Sequence, residues 1–261
     1  KQVNTILSKL NLNKFLKKKI DFDGLDLANI PLVDRKNFNE LSRIELDFKY
    51  KDIAINLHKY GFTKLKIDDP NWFNLVDKVN NDIDSLIDKE SNENSLRTDR
   101  FQDAWLHNKI ESVRELASHP EIISTLKNVY GRDPFPFQTL NFIKGSRQAT
   151  HSDAVHFNSV PYGFMCGVWI ALEDVTKDSG PLIYYPNSHL LPYICSKDLN
   201  LSIEDINSNP HPQIFFEEYW NKLIIERNYS KKIFIANRGD ILIWHANLLH
   251  GGSPIKNPKL S

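Results

Sequence analysis

The strongest constraint on this chain is a pair of metal-type side chains two residues apart, His151 and Asp153, with a third, His250, far downstream in Leu248-Leu249-His250-Gly251-Gly252. Two histidines and one carboxylate can occupy one face of Fe(II) and leave the opposite face open for substrate and oxygen. On a strand, residues i and i+2 point to the same side, so His151 and Asp153 would both reach into one cavity while Ser152 points away. His250 lies 250 − 153 = 97 residues beyond Asp153. Only a closed fold returns so distant a residue to the pair, and a β-barrel is therefore the expected arrangement. A bare His-x-Asp occurs by chance in many sequences, and a lone histidine is more often a packed or surface residue. The surrounding sequence has to decide.

The 261 residues suffice for one elaborated domain. Lys+Arg and Asp+Glu number 33 each, so no global basic field exists to recruit nucleic acid. Cys166 and Cys195 are too few for a disulfide framework and fit a reducing compartment. No apolar run approaches a membrane span, and the N-terminus lacks a signal peptide's hydrophobic core. These features predict a cytoplasmic protein with no membrane or nucleic-acid partner; they leave the oligomeric state open.

The basic run at 17–19 reads as a solvated face. A short helix is expected over 53–60, stopped by Gly61 before a strand over 62–67. Trp72, Leu75, Val76, Val79, Ile83, Leu86 and Ile87 recur at helical spacing and form one apolar stripe, expected to pack in a core. Helices follow over 108–118 and 120–130, the second opening on Pro120 and ending at Gly131. Strands are expected over 137–143, 164–172, 182–185, 232–236 and 241–245. Helices first and strands later predict an α+β fold. An insertion near 210–228 carries Phe215, Phe216, Tyr219, Trp220, Leu223 and Ile224, an amphipathic helix that reads as a structural cover or a substrate lid.

Several segments are informative as an ordered set: Phe137-Gln138-Thr139-Leu140-Asn141-Phe142; Gly167-Val168-Trp169-Ile170-Ala171-Leu172-Glu173-Asp174-Val175; Gly180-Pro181-Leu182; Pro186-Asn187-Ser188-His189; and Gly239-Asp240-Ile241-Leu242-Ile243-Trp244-His245. With the His-x-Asp pair and His250, the chain from about residue 135 onward resembles the phytanoyl-CoA dioxygenase family of Fe(II)/2-oxoglutarate oxygenases. The resemblance implies a double-stranded β-helix, a cupin-like jelly roll spanning about 135–261, buttressed by a mainly helical part over about 1–134 within a single domain. It implies His151, Asp153 and His250 as catalytic metal ligands, Fe(II) as cofactor, and 2-oxoglutarate and O2 as co-substrates. The expected reaction is hydroxylation of a small molecule with release of succinate and CO2. Related halogenases carry Ala or Gly at the carboxylate position, so Asp153 argues for hydroxylation.

Other residues follow from the same resemblance. His250, in its His-Gly context, is favoured over His245 as third ligand, and His245 is expected to be packed. His156, by its position five residues after His151, is expected at the surface or in a hydrogen bond, with substrate contact as the alternative. Asn187 stands where the family usually has Gly, and Asn tolerates the same left-handed turn. Trp169 corresponds to a tryptophan lining the 2-oxoglutarate pocket, Gln138 and Leu140 lie on a strand that contacts the co-substrate, Arg100 aligns with a cationic co-substrate residue, and Ser253 is expected to add a hydroxyl at the C5 carboxylate. The family's C5-carboxylate arginine has no counterpart between His250 and Ser261, where only Lys256 and Lys259 occur. It is expected beyond Ser261, with a lysine substitute or impaired co-substrate binding as alternatives. Two competing readings remain: a non-catalytic jelly roll retaining the triad, and a metal cupin that uses no 2-oxoglutarate.

Overall fold

A computed structural model of the protein describes residues 27–35, 38, 46–92, 100–157 and 159–260; the basic run at 17–19 lies outside them. The chain enters helix α1 (Phe48–Tyr60), where the Asp47 side chain accepts from the Lys49 N–H and Gly61 ends the helix with φ 79°. Strand β1 (Phe62–Leu65) follows at once. The stripe beginning at Trp72 forms α2 (Trp72–Asn92), with Trp72, Val76, Val79, Ile83 and Leu86 buried. Strand β2 (Arg100–Gln102) and the short helices α3 (Ala104–His107) and α4 (Glu111–Ala117) come next, so the expected helix over 108–118 is present only as α4, its first three residues lying outside it. Helix α5 (Pro120–Tyr130) has Pro120 in its first turn and Gly131, φ 79°, at its end.

The second half alternates short strands with loops: β3 (Leu140–Phe142), a helical turn α6 (Asp153–His156), β4 (Cys166–Ile170) and β5 (Leu182–Tyr184). Helices α7 (Ile203–Ser208) and α8 (Ile214–Glu226) precede β6 (Lys232–Ile233), β7 (Ile241–His245) and β8 (His250–Gly252). Among the described residues the strands form antiparallel sheets in the orders β1-β7-β4 and β6-β5-β8, plus a β2-β3 ribbon. Apart from β7, which has its expected bounds, the expected strands are shorter in the structure, and β1 corrects the simple order of helices first: it comes from the first half yet pairs with β7 in a main sheet.

Strand β7 explains the architecture. All five of its residues are buried, because each of its faces has a core to fill. Ile241 and Ile243 point to a helix-lined core with Trp72, Val76 and Val79 of α2 and Ile122, Leu126 and Val129 of α5. Leu242 and Trp244 point the other way, into a second core shared with Tyr184, Leu182 and Phe234 from the β5-β6 side. The helices thus cover one sheet from outside, while the two sheets enclose an interior between them. Helix α8 packs Phe215, Tyr219, Trp220 and Leu223 into a third core with Leu249, in the loop that leads into His250.

Candidate metal centre

His151 and His250 face each other in an isolated antiparallel bridge. The His151 N–H donates to the His250 carbonyl at 2.8 Å and the His250 N–H to the His151 carbonyl at 3.0 Å. Their imidazole centroids stand 4.4 Å apart. Asp153 arrives by a different route from the uninterrupted strand expected. The backbone is extended at Ser152 (φ −114°, ψ 129°) and then turns into α6, whose first residue is Asp153. The extended step at Ser152 sends the two flanking side chains to one side, and Ser152 turns away to donate to Asn247 Oδ1 at 3.0 Å.

Donor atoms of His151, Asp153 and His250 lie within 4.8 Å of one another. Asp153 Oδ1 is 3.6 Å from His151 Nε2 and 3.7 Å from His250 Nε2. Each Nδ1 meets a backbone carbonyl, Ala149 at 2.8 Å and Leu248 at 2.9 Å. A carbonyl only accepts, so Nδ1 carries the proton on both rings and both Nε2 lone pairs are directed at Asp153. The donor set therefore fits a divalent transition metal: two neutral imidazoles and one carboxylate with their free pairs convergent.

The electrostatics agree. Burial favours the neutral acid at Asp153, yet the neighbouring His250 and His151 and the Trp244 indole hold the carboxyl at about 2. Burial pushes His250 down to about 4, against the pull of Asp153. Burial is also the largest influence on His151 and opposes its protonation, but Asp153, as acceptor for a protonated Nε2 and as a charge, and the Ala149 carbonyl together outweigh it and raise the pKa. The ionised Asp153 beside a neutral His250 suits a cation, which competes with the proton for His151 Nε2.

His245 is a packed residue, as expected. Its neighbour Trp244 points inward, so His245 points out of the sheet, where its Nδ1 accepts from the Asn247 N–H at 3.1 Å and its Nε2 donates to Asp34 Oδ2 at 3.2 Å. His156 is exposed, with its ring 5.8 Å from that of His151. Asn187 adopts the left-handed turn conformation, φ 70°.

The co-substrate candidates fall in three places. Trp169 shares the inner face of β4 with Gly167 and packs edge-on against Phe234 at 5.4 Å in the core between the sheets. Arg100 and Leu140 are brought onto one face of the ribbon: Arg100 opposes Phe142 and Gln102 opposes Leu140. The Arg100 guanidinium lies 5.9 Å from the Phe142 ring centre. Gln138, half-buried, precedes β3 with the same parity as Leu140. Ser253 follows β8 and its N–H donates to the Pro181 carbonyl. Lys256 is directed elsewhere, its Nζ 4.0 Å from Asp178 Oδ1 and largely exposed.

Reading the sequence alone missed Asn247 and gave Trp244 no role. Asn247 is buried and fully engaged: besides Ser152 and His245 it donates through Nδ2 to the His189 and Leu191 carbonyls at 3.1 and 2.6 Å. The available signal was its place three residues before His250, between two apolar runs, where a polar amide needs partners.

A profile described as Phytanoyl-CoA dioxygenase (PhyH) matches residues 71–260. The chain belongs to this family. The match begins just before α2 and runs past β8, so it extends well upstream of the segments that carry the resemblance in sequence. A phytanoyl-CoA dioxygenase domain-containing protein 1 from Danio rerio is 28% identical over 88 residues, which make up 32% of this chain and 30% of that protein. The alignment thus spans under a third of the relative's length. Among solved structures, EctD from S. alaskensis with 2-oxoglutarate and 5-hydroxyectoine gives a TM-score of 0.57 at 17% identity, covering 78% of this chain and 70% of that one. The non-heme alpha ketoglutarate dependent epimerase SnoN from nogalamycin biosynthesis gives 0.54 at 18% identity, covering 80% and 76%. At such identities the likeness concerns the fold.

Proposed function

We propose that the chain is an Fe(II)- and 2-oxoglutarate-dependent dioxygenase that hydroxylates a small-molecule substrate, releasing succinate and CO2. The observation that carries this reading is the triad, in which both histidines are held as Nδ1–H tautomers and present Nε2 toward one oxygen of Asp153. Bound iron and 2-oxoglutarate supply the oxidising chemistry, coupling decarboxylation of the co-substrate to attack on an unactivated C–H bond. The family assignment and the donor set favour this pair of cofactors over other metal chemistry.

The residues divide the work as follows. His151, Asp153 and His250 hold the metal. Trp169, on the inner face of β4, walls the co-substrate pocket, with Gln138, Leu140, Arg100 and Ser253 as its further contacts. Helix α8 seals the flank of the His250 loop as a cover, a role its buried Tyr219, Trp220 and Leu223 support. The double-stranded β-helix reading is supported by two antiparallel sheets enclosing one core and by the His151–His250 bridge, which joins distant segments of the second half of the chain. One domain over 1–261 accommodates both layers. No helix among the described residues is long and apolar enough to cross a membrane. Both cysteines are free thiols, in keeping with a cytoplasmic enzyme.

Hydroxylation is favoured by the carboxylate at Asp153, and because one structural neighbour is an epimerase, product mass has to be measured once a substrate is found. The first experiment needs none. Purified apoprotein with Fe(II), ascorbate and 2-oxoglutarate under air is expected to form succinate slowly, and His151→Ala and Asp153→Ala to abolish it. Absence of succinate, together with absence of anaerobic Fe(II) and 2-oxoglutarate binding, would overturn the oxygenase reading in favour of a cupin or binding role.

A further inference from the structure

We propose that Trp244 is a positioning residue for the metal centre, acting through Asp153. The indole Nε1–H donates to Asp153 Oδ2 at 2.9 Å. The two oxygens of the carboxylate thereby have separate tasks: Oδ2 is capped by the indole, and Oδ1 faces the Nε2 atoms of His151 and His250 at 3.6 and 3.7 Å. An uncapped carboxylate on a short helical turn can rotate about its terminal torsion, which is broad. The hydrogen bond removes that freedom and makes Asp153 a one-oxygen ligand.

Three features of the sequence serve this contact. Alternation along β7 sends Trp244 into the interior between Ile243 and His245, which face outward. Gly167, directly opposite on β4, leaves room for the indole; a Cβ there would collide with the ring atoms around Nε1. His250 closes the other side, its ring centre 4.7 Å from that of Trp244. The tryptophan thus touches the carboxylate by hydrogen bond and one histidine by ring contact, and the glycine sets its depth.

On the metal-binding reading of the triad, which this role presupposes, loss of the indole N–H weakens metal binding by about tenfold or more, the usual scale for a residue that orients a ligand. The test is anaerobic Co(II) titration followed by visible absorption, with far-UV circular dichroism as the folding control. Wild-type protein is expected to bind Co(II) with a defined d–d band, and failure to bind would overturn the metal reading and this role with it. Trp244→Phe keeps the ring and removes the donor; it is expected to lose affinity and change the band shape. Gly167→Ala keeps the donor and displaces the indole, and is expected to shift the spectrum in the same direction. In an Asp153→Ala background, Trp244→Phe is expected to have no further effect on Co(II) affinity. Wild-type affinity and band shape in a folded Trp244→Phe protein would overturn the role, as would an equal loss with and without Asp153.

Discussion

His151 and His250 are 250 − 151 = 99 residues apart in sequence yet directly opposed in space, exchanging both backbone hydrogen bonds across one antiparallel bridge. Placing the two histidines is therefore a problem of strand pairing before it is one of side-chain chemistry. Whatever holds β8 against residues 148–151 also holds the metal ligands in register.

Gly251 is one of the tight points of that approach. A Cβ there would stand 2.8 Å from the Gln148 carbonyl oxygen and 3.1 Å from that of Ala149, both backbone atoms with little room to move. Gly251→Ala is expected to cost about 1–3 kcal/mol through overpacking and to loosen the bridge. Urea unfolding should show a lower midpoint, and Fe(II) titration a weaker site. Retention of both values would separate the metal site from this contact.

Asn247 ties the His-x-Asp turn to the loop before His250 through Ser152, and to the turn at 189–191 through two carbonyls. Asn247→Ala strands several buried groups at once, and the expected loss is on the order of 3 kcal/mol. Asn247→Asp retains the acceptor but not the amide donors and is expected to rescue little. Equilibrium denaturation of the three proteins measures the difference; near-equal stability would show that these bonds are replaced by water.

Acid should destabilise the fold through His189. Burial pushes its pKa from 6.5 down to about 3, beside His245, His58 and Asp34, while its Nε2–H donates to the His58 carbonyl at 3.1 Å. The folded state holds the neutral ring and the unfolded chain takes the proton more readily. This contribution is complete above the unfolded pKa and is lost as pH falls from about 6.5 toward 3, by up to about 1.4 kcal/mol per unit. Urea midpoints from pH 7 to pH 4 should fall more steeply for wild type than for His189→Gln, which can still donate to the same carbonyl. Parallel slopes would contradict the assignment.

Trp169→Phe tests the co-substrate pocket with the least damage to packing, since a ring remains against Phe234. The 2-oxoglutarate concentration giving half-maximal succinate formation is expected to rise several-fold while Fe(II) affinity stays unchanged. An unchanged 2-oxoglutarate dependence would leave Trp169 as a core residue only.

The sequence by itself determined the residue types of the metal centre, the family, the amphipathic stripe of α2, the helix over 120–130 bounded by Pro120 and Gly131, and the strand at 241–245. These are local signals: periodicity, end residues and ordered motifs are written within a few turns or strands of chain. The structure groups His250 rather than His245 with His151 and Asp153, and the reason is the parity of β7, which turns Trp244 inward and His245 toward Asp34. What only the tertiary structure decided are relationships between segments far apart. The pairing of β1 with β7, the helical turn that delivers Asp153, the convergence of Ser152, His245 and the 189–191 turn on Asn247, and the indole over Gly167 that caps the ligand carboxylate all depend on which surfaces meet. Register and buried hydrogen-bond partners are settled by packing of the whole chain, and no window of sequence contains them.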